Sequence, residues 1–150
     1  FLIASSVELI IAQRLVRRLC DACATPGKYA PGYLESCLTA LKLPLEEARH
    51  ADRLLEPKGC ERCRGLGYQG RIGIFEILRV TDEIHRMIVE KASAREIRDS
   101  AVAAGMRTLQ QCGWAQVKRG VTSLAEVMRF AEMAENGDGE EASPIPPPKL

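Results

Sequence analysis

The sequence predicts a mainly α chain with a small β ribbon, in which a zinc-stabilised tetracysteine subdomain precedes a C-terminal helical bundle. Three observations carry that expectation. Two cysteine pairs, Cys20-Asp21-Ala22-Cys23 and Cys60-Glu61-Arg62-Cys63, have the two-residue spacing that lets both sulfurs of a pair face one ion. Several stretches have helical apolar spacing, and three of them open on capping signals. One stretch, Arg71 to Leu78, is rich in strand formers.

A chain of 150 residues can bury one ordinary core, with room for a small satellite around a metal. An apolar content of 46% with 27% charged residues is that of a globular chain. The net charge of +1 offers no general field to attract nucleic acid or membrane. Aromatic residues make up only 5%, with a single Trp, which argues against a base-stacking platform. Phe1 to Ala12 is apolar, but Ser5, Ser6 and Glu8 make it too short and too polar to span a bilayer, and it lacks the basic start of a signal peptide. A first residue of Phe rather than Met is expected of a piece of a longer chain. Thiolate ligands must stay reduced, which points to the cytosol.

Two Cys-x-x-Cys pairs can complete the closed tetrahedral tetrathiolate shell that structural zinc prefers, so Cys20, Cys23, Cys60 and Cys63 are the candidate ligands. Gly65 and Gly67 fit this reading, because a turn that wraps a metal needs positive φ and backbone N–H groups aimed at sulfur. One zinc with four thiolates leaves a formal excess of negative charge. Arg17, Arg18, Lys58, Arg62 and Arg64 are placed in sequence to offset it, and Asp21 and Glu61 work against it. A disulfide or a redox dithiol are the competing readings; the second calls for one pair beside a βαβ unit, a pattern this chain does not show. The 36 residues between Cys23 and Cys60 imply a helical insertion between the halves of the site.

Taken in order, Val7, Ile11, Leu15 and Leu19 recur every four positions while Arg14, Arg17 and Arg18 gather elsewhere, which predicts an amphipathic helix over 7–19. Thr25 to Gly32 has two prolines and two glycines and reads as a loop. Leu34, Cys37, Leu38 and Leu41 keep helical spacing, placing Cys37 on a buried stripe as a core residue rather than a ligand. Pro44 suits the start of a short helix from Leu45 to Leu54, with Glu46 and Glu47 near its positive end. The strand 71–78 is expected to pair with residues around Leu54 and Leu55. Thr81 caps a helix over 82–91, Ser93 and Glu96 form a capping box for the next, closed by Gly105, and a third runs from Arg107 to Lys118. Ser123 and Glu126 repeat the box before Leu124. Cys112 is read as packing, and His50 and His85 as ordinary surface or boundary residues. From Asn136 the chain is rich in Gly, Glu and Pro, and a disordered tail is expected over 134–150.

There is no phosphate-binding GxxxxGK[ST], no HExxH and no GxSxG. The residues alone support a zinc-stabilised helical module and no catalytic one.

A resemblance adds to this. Ala12-Gln13-Arg14-Leu15-Val16-Arg17-Arg18-Leu19-Cys20-x-x-Cys23, then Gly59-Cys60-x-x-Cys63-x-x-x-Gly67-Tyr68-x-Gly70-Arg71-Ile72-Gly73-Ile74-Phe75-Glu76, Gly105-Met106-Arg107-Thr108-Leu109 and Gly120-Val121-Thr122-Ser123-Leu124, resembles the C-terminal portion of the type II secretion and type IV pilus assembly ATPases. The resemblance implies hexameric P-loop motors at the cytosolic face of the bacterial inner membrane, working with membrane-platform proteins. It implies that Cys20, Cys23, Cys60 and Cys63 match the family's zinc ligands, and that ATP and Mg2+ belong to a motor domain upstream. Residues 1–19 would be a terminal helix of the ATPase core, 20–70 the zinc subdomain, and 71–133 a strand and helical bundle. This chain by itself is then expected to be no enzyme. Gln111-Cys112-Gly113 departs from the acidic residue that relatives carry before the glycine. The rival expectation is a free-standing zinc module that binds protein or nucleic acid; Cys60-x-x-Cys63-x-Gly65-x-Gly67 also looks like one repeat of the Hsp40 cysteine-rich domain, which carries four.

Overall fold

Leu9–Leu19 is a strand, β1, and not the helix expected over 7–19. The four-residue spacing of Ile11, Leu15 and Leu19 is an even number, so the same stripe also lies on one face of a strand of period two. The β-branched Ile10, Ile11 and Val16 then favour the extended form, and a long partner supplies its hydrogen bonds. That partner is Tyr68–Arg79, antiparallel to β1 in register from Leu9 opposite Arg79 to Arg17 opposite Arg71. The register shifts between Arg17 and Leu19, where Leu19 faces Tyr68. Arg18 therefore faces two residues, Gln69 and Gly70, and Gly70 has the positive φ of 74° that such a bulge favours.

The computed structural model describes residues 6–30 and 32–135, the side chains of 130–135 excepted. The tail expected to be disordered lies, from 136 on, outside the described residues. Among those described, five α-helices and two 3-10 segments accompany two two-stranded sheets. The long ribbon pairs β1 with Tyr68–Arg79, hereafter β4. A second, two-residue ladder pairs β2 (Thr25–Pro26) with β3 (Leu55–Glu56) and closes the base of the insertion. The expected pairing of the strand 71–78 with Leu54 and Leu55 is thus replaced by two separate pairings, because β1 offers a ladder far longer than a two-residue segment can.

Inside the insertion, α1 (Tyr33–Ala40) buries Leu34, Cys37 and Leu38 as its spacing predicted. The short helix expected from Leu45 to Leu54 forms over Leu45–Arg53, as a 3-10 helix rather than an α-helix. Its residues explain why: Ala48, Ala51 and Leu54 recur every three positions, matching 3.0 residues per turn rather than 3.6. Ala48 and Ala51 pack on the core and Leu54 is fully buried, while Glu47 and His50 stack in a second row 3.8 Å apart.

The C-terminal helices are α2 (Asp82–Val89), α3 (Ala94–Ala103), α4 (Leu109–Lys118) and α5 (Leu124–Glu135). The Ser93–Glu96 capping box forms in full. A further one, Thr108 with Gln111, starts α4 two residues later than expected. At α5 only half the box forms: Ser123 accepts from the Glu126 N–H, but the Glu126 carboxylate turns to Arg17. The helices do not share one bundle core. Trp114 of α4 and Val127 of α5 join Val16 and Ile74 of the ribbon and Leu38 and Leu41 of the insertion in one cluster, whereas α2 and α3 bury only Ile84 and Ala101. Each fully buried aliphatic in that cluster contributes about 1.5–3 kcal/mol, and together they bind the insertion to α4 and α5. Glu47 adds a polar tie, accepting from Trp114 Nε1 at 2.7 Å and Lys118 Nζ at 2.8 Å. Lys118, then Trp114, hold the Glu47 carboxyl below the ordinary carboxylate range.

Candidate metal centre

β1 ends by delivering Cys20, fully buried, into a tight turn in which Cys23 and Ala24 both donate their N–H to the Cys20 carbonyl. The turn brings the Cys23 sulfur back beside that of Cys20. The second pair sits on a 3-10 turn over Glu61–Cys63, followed by three positive-φ residues, Arg64, Gly65 and Gly67. This wrap points two N–H groups at one sulfur: Cys60 N–H donates to Cys63 Sγ at 3.2 Å and Gly67 N–H at 3.1 Å. The two halves are then joined where Cys20 N–H donates to the Gly67 carbonyl at 3.0 Å.

The four sulfurs lie within 4.8 Å of one another. Cys20 and Cys60 are 3.9 Å apart, Cys23 and Cys63 3.8 Å, and Cys60 and Cys63 3.7 Å. A disulfide would need about 2.05 Å, and none joins these four. Four thiolates bonded to one zinc at about 2.3 Å would stand about 3.8 Å apart along the edges of the tetrahedron. The three separations fit that figure, and the all-sulfur donor set, buried except at the half-buried Cys60, fits zinc over a hard cation.

Electrostatics separate the thiols. Burial pushes Cys63 up, but the N–H groups of Cys60 and Gly67 outweigh it and hold the thiol well below its usual range, toward the thiolate. Burial pushes Cys23 up. The arginines meet the expectation only in part: Arg62 pairs with Asp21 at 3.4 Å across the two turns, both side chains exposed, while Arg17 is drawn away to Glu126 at 2.7 Å. Burial would raise the Glu126 carboxyl, but the side chain and backbone of Arg17, helped by Arg129, hold it below the ordinary range.

The remaining sequence candidates lie elsewhere. Cys37 is in the apolar core and Cys112 packs against it, neither in the sulfur cluster. His50 faces Glu47 and no thiol. Glu126, Tyr68 and Ser123, which reach the strand ends beside the cysteines, had no functional reading in the sequence. The partners Arg17 and Glu126 are 109 positions apart, and no local pattern links them.

Residues 1–129 match the family described as type II/IV secretion system protein. The chain belongs to that family. Among the curated members similar to this secretion-family chain is the type IV pilus assembly ATPase PilB of Acinetobacter baylyi, 42% identical over 129 residues, which are 86% of this chain and 22% of PilB. PilB of Thermus thermophilus is 41% identical, over 85% of this chain and 14% of its own length. The type II secretion system ATPase E of Vibrio cholerae is 35% identical, over 88% and 25%. This member of the secretion family therefore spans a quarter or less of those relatives. None of its described helices is long and apolar enough to cross a membrane.

Proposed function

We propose that this chain is the C-terminal, zinc-bearing portion of a motor ATPase that powers type II secretion or type IV pilus assembly, and that it acts as a structural and docking module. The supporting observation is the clustering of four cysteine sulfurs within 4.8 Å of one another in a chain whose relatives are secretion and pilus ATPases four or more times its matched length. Cys20, Cys23, Cys60 and Cys63 would hold Zn2+, which supplies a closed-shell cross-link with no open position for substrate. The protein's own part is to pre-set the sulfurs through the N–H groups of Cys60 and Gly67 and to anchor the insertion on α4 through Trp114 and Glu47. ATP, Mg2+, hydrolysis and hexamer formation belong to the longer protein, and the surface of the insertion is the candidate contact for membrane-platform proteins at the cytosolic face of the inner membrane.

The ribbon supports a docking role over a free-standing module. One face of the β1–β4 pair carries Leu9, Ile11, Leu15, Phe75 and Ile77, each 43–61% exposed, with Arg79 at one end and Arg71 at the other. The opposite face already packs on α4 and α5 through Val16 and Ile74, and an apolar face left exposed beside it marks an interaction surface. In this reading the layer that covers it is the ATPase core, and β1, Leu9–Leu19, packs on that core as a strand. Ile77→Asp should leave the melting of this chain within about 0.5 kcal/mol of the unaltered protein and abolish ATP hydrolysis by the full-length motor. A strong loss of stability in the short chain, or an unimpaired motor, would sink the docking assignment.

The central reading is tested on purified, reduced chain. About one zinc per chain is expected, with chelation melting helix as followed by circular dichroism, and no phosphate release from added ATP. Zinc-free protein with a full melting transition would reject the metal assignment, and ATP turnover would reject the module's passive role.

A further inference from the structure

The turn into α5 grips both strands of the ribbon at the point where they enter the cysteine cluster. Leu19 N–H donates to the Val121 carbonyl at 2.9 Å, and Thr122 Oγ1 donates to the Arg17 carbonyl at 2.8 Å. The Glu126 carboxylate takes the Arg17 backbone N–H at 2.8 Å and its guanidinium Nε and Nη2 at 3.0 and 2.7 Å. On the other strand, the hydroxyls of Tyr68 and Ser123 are 2.7 Å apart. The Arg17 guanidinium also lies over the Tyr68 ring, 4.1 Å from its centroid, so the two grips are connected.

Thr122, Ser123 and Glu126 are all at most 5% exposed. Buried hydroxyls and carboxylates are costly unless each finds its partner, so a network of this kind has one low-energy arrangement. Its two ends adjoin the sulfurs. Cys20 follows Leu19 directly, and Gly67, which precedes Tyr68, accepts from Cys20 N–H and donates to Cys63 Sγ. A shift of the first turn of α5 would therefore reach both cysteine pairs without crossing a flexible link.

We propose that the first turn of α5 is a positioning element for the metal centre: Glu126, with Ser123 behind Tyr68, sets the separation of the two cysteine pairs and couples metal retention to the docking of α5. The proposal rests on the zinc reading above. Coupling of this kind is reciprocal, so a filled centre holds α5 down and a loosened α5 releases metal faster. It makes the distant helix a partner of the site, as outer-sphere residues are in other metal centres.

The test uses the zinc-loaded 150-residue chain and follows transfer of zinc to the chelating dye 4-(2-pyridylazo)resorcinol. Glu126→Gln should release zinc roughly tenfold faster, the low end of the range for outer-sphere changes, and Ser123→Ala should also release it faster. Ile84→Ala, a cavity in α2 outside the core cluster that seats α5, serves as the control and should keep the unaltered rate despite a lower melting temperature. In the unaltered chain, chelation should raise amide exchange in α5. Equal release from the Glu126 and Ile84 variants, or α5 exchange indifferent to chelation, overturns the coupling and leaves the zinc assignment standing. An unaltered chain that takes up no zinc overturns both. If Glu126→Gln does not fold, Ser123→Ala against Ile84→Ala decides.

Discussion

Cys63→Ser is expected to remove stoichiometric zinc and to lower the melting temperature by roughly 10 °C. Cys63 is the most constrained of the four sulfurs: it is buried, lies 3.7 and 3.8 Å from Cys60 and Cys23, and takes two backbone N–H groups. A serine hydroxyl at that place is a poor zinc ligand and leaves three thiolates in an open shell. Structural zinc in small modules supplies about 10–16 kcal/mol of apparent binding energy, which is folding energy. Here an apolar core holds much of the chain without metal, so we take about a quarter, some 3–4 kcal/mol, as the share lost. At about 2–4 °C per kcal/mol for a chain of this size, that gives the stated shift. Metal analysis and calorimetry on the same sample read both effects. Cys112→Ser is the control, since Cys112 packs against the core outside the sulfur cluster, and its zinc content should stay at about one. Full zinc in the Cys63 variant would mean that the cluster does not bind metal through this sulfur.

The sulfur cluster was legible because its information is local. Two residues between paired thiols specify a turn, and the glycines after Cys63 specify the wrap that brings N–H groups to sulfur. Helix α1 and the Ser93–Glu96 box were legible for the same reason. The Thr108–Gln111 box at the start of α4 was equally visible in the residues, as was the three-residue row of Ala48, Ala51 and Leu54 that favours a 3-10 helix over an α-helix. β1 was harder, because a stripe repeating every four residues suits a helix and one face of a strand alike. Only pairing with β4 decides it, and that partner begins 49 positions after β1 ends, from Leu19 to Tyr68. The Arg17–Glu126 contact belongs to the same class: it exists because the ribbon and α5 meet in space.

The second large effect is expected at a residue with no side chain. Gly67→Ala should destabilise the chain by about 2–5 kcal/mol and weaken zinc retention, with no ligand changed. Two costs add. At φ 73° the backbone is in the left-handed region, where a Cβ costs about 1–2 kcal/mol. The new methyl would also run into the Pro57 side chain and come within 2.9 Å of its Cα, an overpacking that costs about 1–3 kcal/mol. The damage would fall on the centre, because Gly67 donates to Cys63 Sγ and its carbonyl takes the Cys20 N–H; pushing it off Pro57 strains both cysteine pairs. Gly65 separates the two costs. Its φ of 79° is nearly the same, but a Cβ there meets nothing within 4 Å, so Gly65→Ala should lose only the backbone share and keep its zinc. Chemical denaturation and zinc release of the two variants side by side read the difference. Equal losses would show that left-handed backbone alone sets the cost, and would remove Pro57 as the wall against which the second cysteine turn is built.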